Sequence, residues 1–198
     1  MRKTTLLLAI ILLGLFACQK EDPLTEPPLP PPPPTEYVPI FAPCDTSDGV
    51  ATANKLTAAW KAGVSCRSVM SAGKKYWVFE MFTCNEEGSK REYLAVGGVP
   101  DNNPMQRYPI KNYTTSIIEG FVDPSYSTLF SDGDVLEDFY YPDTTFTEDF
   151  LEIDLWDTAN KRAEGRFSVS FFIKEPRANP KNPKKVRFTS GKFWVRLP

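Results

Sequence analysis

Residues 150–174, FLEIDLWDTANKRAEGRFSVSFFIK, carry the clearest secondary-structure signal in the chain. Apolar and polar residues alternate in both halves, as they do at Leu151, Ile153 and Leu155. A period of two residues is typical of a strand with one buried face. Turn-forming residues 157–160 separate the halves, so the stretch predicts an antiparallel hairpin with an apolar inner face.

The same alternation extends toward the N-terminus. Residues 60–70 alternate, residues 76–83 are apolar on both faces, and residues 91–96 predict a further strand. Short turn sequences, such as the one around Gly73, join these segments, and this arrangement favours an antiparallel meander. For residues 40–198 we therefore predict an all-β domain, either a single antiparallel β-sandwich or a small β-barrel.

Other parts of the domain give weaker signals. Residues 123–124 and 131–134 have turn-forming sequences. Residues 175–185 are rich in Pro, Asn and Lys, and they predict a loop without core residues. Gly191 lies between two short apolar segments, where it predicts either a tight hairpin turn or a bulge within one long strand.

The first 18 residues predict a lipoprotein signal peptide. A positively charged start precedes the apolar run Leu6–Leu13, which is too short to remain as a membrane-spanning helix. The sequence LFAC at 15–18 resembles the lipobox of bacterial lipoproteins, in which the cysteine thiol takes the lipid. We therefore expect residues 1–17 to be removed and Cys18 to be lipidated.

The residues after Cys18 predict a tether. Residues 18–39 are rich in proline, which lacks a backbone donor and favours an extended polyproline II conformation, so we expect a disordered spacer. The charged residues at the start of this segment resemble an export signal of Bacteroidota lipoproteins. That resemblance implies a lipid-anchored protein of the outer membrane facing the cell exterior. The residues concerned are Gln19, Lys20, Glu21 and Asp22.

Composition excludes several classes of chemistry. The chain contains no histidine, so Ser-His-Asp and Cys-His catalysis and His-ligated zinc or iron are excluded. The formal net charge is −2, and the absence of a basic excess argues against a nucleic-acid partner. We expect no cofactor and no metal site.

Three cysteines follow Cys18, and they permit one disulfide bond. If residues 71–75 make a tight turn, Cys66 and Cys84 lie about 16 Å apart along adjacent strands, which is too far for a bond. Cys44 precedes the first strand and could reach Cys84. We therefore prefer a Cys44–Cys84 disulfide with Cys66 free.

Three C-terminal segments resemble the end of a family of small Bacteroidota lipoproteins of unknown function. They are LWD at 155–157, EGRF at 164–167 and VRFTSGKF at 186–193. The resemblance implies an antiparallel β-sandwich or small barrel and an envelope location. It implies no catalytic residues.

Aromatic residues are the preferred binding candidates. Trp156, Phe172 and Trp194 fall on the outward phase of strands whose other phase is already apolar. Exposed together, they would form an aromatic platform for sugar rings or a partner. The alternative is that these side chains are covered and form a second core layer.

Two sets of carboxylates are weaker candidates. Glu152 and Asp154 project from the same side of one predicted strand, as a glycosidase pair would, although exposed strands also carry such pairs for solubility. Asp132, Asp134 and Asp138 offer oxygen ligands for calcium, but their spacing is not that of an EF-hand loop.

From the sequence we expect a lipid-anchored surface lipoprotein with a non-enzymatic binding or accessory function. Its partners would be the outer membrane, reached through the N-terminal lipid, and a glycan or a protein. The alternatives are a carbohydrate-binding module, a carboxylate-dependent hydrolase and a lipocalin-like carrier of a hydrophobic ligand.

Overall fold

The computed structural model describes residues 39–112 and 117–198, which all belong to the compact unit Glu36–Pro198. These residues form strands and connecting segments with no helix among them, so the predicted all-β class is confirmed. The predicted signal peptide, Cys18, the export signal Gln19–Asp22 and the proline-rich segment up to residue 38 lie outside the described residues.

Eleven strands are present in the described residues. They are β1 (Ala42–Pro43), β2 (Gly49–Lys55), β3 (Ala58–Ser71), β4 (Lys74–Cys84), β5 (Lys90–Pro100), β6 (Arg107–Pro109), β7 (Asp123–Leu129), β8 (Leu136–Pro142), β9 (Phe150–Asp157), β10 (Arg162–Ile173) and β11 (Lys185–Arg196).

The sheet closes on itself. The strand order is β11-β2-β3-β4-β5-β7-β8-β10, and β10 also pairs with β11, so the path returns to its start as an eight-stranded antiparallel barrel. β9 pairs with the first half of β10, and β6 extends this flap. The end with the β2–β3, β4–β5, β7–β8 and β10–β11 connections is called the loop end. The opposite end, with the β3–β4 turn, is called the turn end.

The β3–β4 hairpin has the register that the sequence predicts. Cys66 lies opposite Phe79, and Ser71 lies opposite Lys74. Ala72 and Gly73 form the two-residue turn, and both have positive φ (48° and 76°), as hairpin turns of this type require. The tight turn therefore sets the pairing of the whole hairpin.

Two segments with turn-forming residues lie within strands. Residues 123–124 begin β7 instead of turning the chain, because Pro124 is tolerated near the start of a strand. Gly191 lies within the single strand β11, where the pairing with β2 skips from Thr189 to Lys192. This is the bulge alternative. A Cβ at Gly191 would come within 2.7 Å of the Phe167 ring, so the close approach of the two strands requires glycine there.

The barrel interior combines aromatic rings with one buried ionic cluster. The Glu92 carboxylate is buried, and it accepts hydrogen bonds from Trp60 Nε1 (2.9 Å), Thr83 Oγ1 (2.8 Å) and Tyr126 Oη (2.7 Å). It also pairs with the buried Lys55 ammonium. Every partner comes from a different strand, so this carboxylate links β2, β3, β4 and β7 to β5.

Cys44 and Cys84 form a disulfide, which is the pairing expected from the strand register. Short strand β1 places Cys44 there, because Ala42 pairs with Cys84 and the Cys44 amide donates to the Phe82 carbonyl. Cys66 is free and half-buried, and burial raises the pKa of its thiol to about 12. Its thiol therefore stays protonated near neutral pH.

Candidate functional site

Exposed apolar side chains concentrate on the β7–β8 hairpin. Eight large hydrophobic side chains are exposed in the described residues. Four of them belong to this hairpin and lie in the ten-residue stretch 130–139. Monomeric proteins scatter such residues, and a concentration of them marks an interaction surface. The four side chains, called the apolar hairpin below, are Phe130 (43% exposed), Val135 (51%), Leu136 (52%) and Phe139 (40%).

The hairpin tip is held in place by the neighbouring turn. The Phe130 amide donates to the Val135 carbonyl, and the Asn85 side chain donates to the Ser131 carbonyl. Gly133 lies so close to Lys90 that an added Cβ would come within 2.7 Å of its backbone nitrogen. The apolar side chains are therefore displayed by an ordered tip that packs against the β4–β5 turn.

Aromatic rings continue this surface along the outside of the barrel. The Phe139 and Tyr141 ring centroids are 5.0 Å apart, and those of Tyr141 and Phe172 are 6.1 Å apart. We call these three rings the aromatic strip. The rings of Phe139 and Tyr141 are nearly perpendicular, and the Lys174 ammonium lies 4.5 Å from the Tyr141 centroid. The strip is therefore ridged and partly capped by a cation.

The β10–β11 loop is fastened to the base of this hairpin. Buried Asp138 accepts hydrogen bonds from the amides of Ala178 and Asn179, and it accepts another from the Asn182 side chain (2.8 Å). Glu137 also accepts bonds from the side chains of Asn179 and Asn182. These bonds hold the proline-rich loop against β8 although it contributes few core residues.

The three aspartates proposed for calcium do not converge. Asp138 accepts hydrogen bonds from the β10–β11 loop. Asp132 accepts hydrogen bonds from the amides of Asp134 and Val135 within its own turn. In the ranges 39–112 and 117–198, no three acidic or cysteine side chains are grouped so that they could hold a metal ion. Turn formation accounts for the Asp132 carboxylate and loop attachment for the Asp138 carboxylate, whereas Asp134 is exposed.

The predicted aromatic platform is wrong in its first member. Trp156 is half-buried and packs against the core, with its ring 5.3 Å from Trp77 and 6.5 Å from Phe79. The pairing of β9 with β10 skips Asp154, and one extra residue turns every later side chain to the other face. Trp156 therefore points inward, and its neighbour Leu155 is exposed instead.

The other two members of that platform lie far apart. Phe172 pairs with Lys185, whereas Trp194 pairs with Glu164 at the opposite end of the same two strands. Eight residues of β10 separate these positions, which is about 26 Å at 3.3 Å per residue. Phe172 belongs to the aromatic strip, whereas the Trp194 ring lies 5.1 Å from the Arg162 guanidinium. The structure does not bring the three aromatics together.

The inward position of the Trp156 ring predicts its contribution to stability. We expect Trp156→Ala to lower the unfolding free energy by about 3 kcal/mol, because it removes a ring packed against the core. Trp194→Ala should cost about 1 kcal/mol or less, since that ring is on the outer face. Urea unfolding of both variants measures the difference. Equal costs would contradict the inward orientation of Trp156.

The proposed carboxylate pair is neutralised by arginines. Arg166 makes a two-pronged contact with Asp154 (2.9 Å from Nε and 2.9 Å from Nη2), and Asp154 holds the pKa of Arg166 above its usual value. Arg166 also lies 3.2 Å from Glu152, and Arg107 approaches the other Glu152 oxygen at 3.3 Å. Surface ion pairing therefore accounts for both carboxylates, and this geometry gives no support to the hydrolase alternative.

The carrier alternative needs an interior cavity, and aromatic side chains fill the barrel around Glu92. Tyr126 contacts Tyr140, Phe171 and Phe188, with centroid distances of 5.0, 5.7 and 5.3 Å. Trp60 packs edge-on against Phe188. These contacts occupy the space that a hydrophobic ligand would require.

Sequence reasoning missed the apolar hairpin. Residues 135–141 are apolar and aromatic but carry Glu137 and Asp138, and the tip carries two further acids. Tyr140 of β8 is buried in the core, and its neighbour Phe139 is exposed. Whether a loop covers Phe139 and Leu136 depends on distant segments, so their exposure had no local signal.

Comparisons with models of protein families, with curated proteins and with solved structures find no match for this chain. The described residues contain no helix with the length and apolar character needed to span a bilayer.

Proposed function

We propose that this chain is a lipid-anchored outer-membrane lipoprotein whose β domain binds a partner and catalyses no reaction. The apolar hairpin is the observation that carries the binding function. Four exposed apolar side chains on one ordered hairpin cost solubility, and a surface of this kind is retained where a partner covers it.

The lipid anchor is supported by the lipobox-like sequence that ends at Cys18. Several acyl chains on one cysteine make a durable anchor, since each buried methylene contributes about 0.8 kcal/mol. Cys18→Ala should therefore abolish the incorporation of labelled fatty acid into the chain. If the wild-type chain incorporates no labelled fatty acid, or the Cys18→Ala chain incorporates as much as wild type, the proposed anchor is wrong.

A photo-crosslinking residue placed at Val135 in the full-length, lipidated protein tests the binding function. On irradiation of intact cells we expect a discrete cross-linked product that contains this chain and a second molecule. The matched control is the same residue at Met105, which is exposed to a similar extent (54%) at the turn end. Equal or absent products at the two positions would reject the binding function of the hairpin.

Glycan binding is the second candidate, and the aromatic strip favours it. Aromatic faces stack on sugar rings, and Tyr141 and Phe172 are neighbours with interplanar angle 35°. The Lys174 ammonium over Tyr141 would have to move for a sugar to stack there. A glycan array with Phe172→Ala as the negative control separates this function from protein binding.

A further inference from the structure

The loop end carries a cleft beside the apolar hairpin. Its volume is about 250 Å³, and it lies between residues 39–41 and residues 179–182. Ile40 (70% exposed) and Phe41 provide an apolar wall, and Lys181 provides an exposed cation at the other side. Arg91 and Glu137 also line the cleft, and the Glu137 carboxylate already accepts hydrogen bonds from the Asn179 and Asn182 side chains. Such a cleft suits an apolar side chain that is followed or preceded by a carboxylate.

The hairpin tip has that chemistry. Val135 and Leu136 project from the tip, and Asp134 directly precedes them and is exposed. The exposed charges of the tip and the loop are of opposite sign. Asp132 and Asp134 are exposed at the tip, and Lys181 is exposed on the loop. Three basic side chains further along already pair with carboxylates of the same chain, and these are Lys184, Lys185 and Arg187. Complementary patches of this kind steer association and set its orientation.

We propose that two copies of this chain associate around a two-fold axis at the loop end. Each copy inserts Val135 and Leu136 into the cleft of the other, and its Asp134 faces the partner's Lys181. The inference rests on the proposed function, because it names the molecule that covers the apolar hairpin.

A second copy fits better than other occupants because one surface holds both halves of the contact. A two-fold interface requires a surface that is complementary to itself. The tip and the cleft lie side by side on one molecule, so the tip of each copy can meet the cleft of the other. An anionic lipid surface would repel the exposed Asp132 and Asp134. Anchoring both copies in one membrane raises their effective concentration, so a weak interface suffices.

Cysteine cross-linking in the membrane tests this arrangement with the full, lipidated chain. Two chains with different epitope tags are produced together, one with Ile40→Cys and the other with Leu136→Cys. Because the cysteines are on separate chains, only association gives a disulfide that carries both tags. We expect this product on mild oxidation. The control pair uses Met70→Cys and Met105→Cys, exposed positions at the turn end, and should give at least several-fold less.

Charge exchange shows whether the contact is the proposed one. Asp134→Lys or Lys181→Glu, placed in both chains, should each reduce the cross-linked product several-fold because like charges then face each other. Asp134→Lys and Lys181→Glu together should restore it. A product that does not respond to these changes, or one no stronger than the control pair, would overturn the proposal.

The photo-crosslinking result at Val135 separates this proposal from the proposed function. A product with twice the mass of the chain supports both. A product with a different protein, or with lipid alone, overturns the second copy as occupant while a bound molecule remains. Absence of any product overturns both.

Discussion

The Glu92→Ala chain is expected to lose about 3–5 kcal/mol of unfolding free energy, a large part of the 5–15 kcal/mol typical of a domain. The substitution leaves the buried Lys55 ammonium without its counter-charge. It also leaves the donors of Trp60, Thr83 and Tyr126 without their acceptor. An unpaired buried charge and unsatisfied buried donors are among the most destabilising changes in a protein interior.

The protonated Tyr126 hydroxyl needs the Glu92 carboxylate as its hydrogen-bond acceptor. Burial raises the pKa of Tyr126 well above its usual value, and the neighbouring Glu92 carboxylate raises it further. The hydroxyl therefore keeps its proton throughout the physiological range and donates to Glu92. Glu92→Gln keeps an acceptor for this donor but removes the charge that Lys55 needs, so its cost should lie between that of alanine and wild type.

Urea unfolding with matched variants measures these costs. Glu119→Gln is the control, because Glu119 pairs with Lys74 on the surface where both side chains are more than half exposed, and it should cost under about 0.5 kcal/mol. Lys55→Met combined with Glu92→Gln should recover part of the loss, since both charges are removed together. If Glu92→Gln costs no more than Glu119→Gln, the buried pair does not stabilise the barrel.

The elements that the sequence predicted well are those with local signals. The β3–β4 register followed from the turn at Ala72–Gly73, because a two-residue turn sets every pair behind it. The β9–β10 hairpin followed from alternation and from the turn near Asp157. Closure of the sheet had no such signal, since it depends on β10 pairing with both β8 and β11, which lie far from each other in the sequence.

The missed orientation of Trp156 had one local clue. The bulge lies at Asp154, between Ile153 and Leu155. Because both neighbours are apolar, the alternating pattern continues across the bulge and does not reveal it. Gly165 lies opposite this point, and an added Cβ there would approach the Glu152 carbonyl to 2.4 Å. A glycine inside a strand often marks a bulge or a close backbone approach. Gly165 is therefore the residue in the sequence that points to the bulge in front of Trp156.

The Cys44→Ser/Cys84→Ser chain is expected to lose about 4 kcal/mol, which is the chain-entropy value for a closed loop of this size. The bonded cysteines are 40 residues apart, and the loop between them contains β2, β3 and nearly all of β4. Without the bond, the unfolded chain gains the freedom of this whole loop. The folded chain also loses the covalent tie that holds β1 against β4.

Urea unfolding of the double variant, and of wild type with a reducing agent, should show the same loss. The reducing agent should leave the double variant unchanged. Cys66→Ser is the control. Because Cys66 is free, this variant keeps the disulfide and should lose the same stability on reduction as wild type does. Exchange between Cys66 and the disulfide should be slow in the folded protein, since a thiol with a pKa of about 12 provides little thiolate for attack. If the double variant unfolds at the urea concentration of oxidised wild type, the loop is constrained by something other than the disulfide.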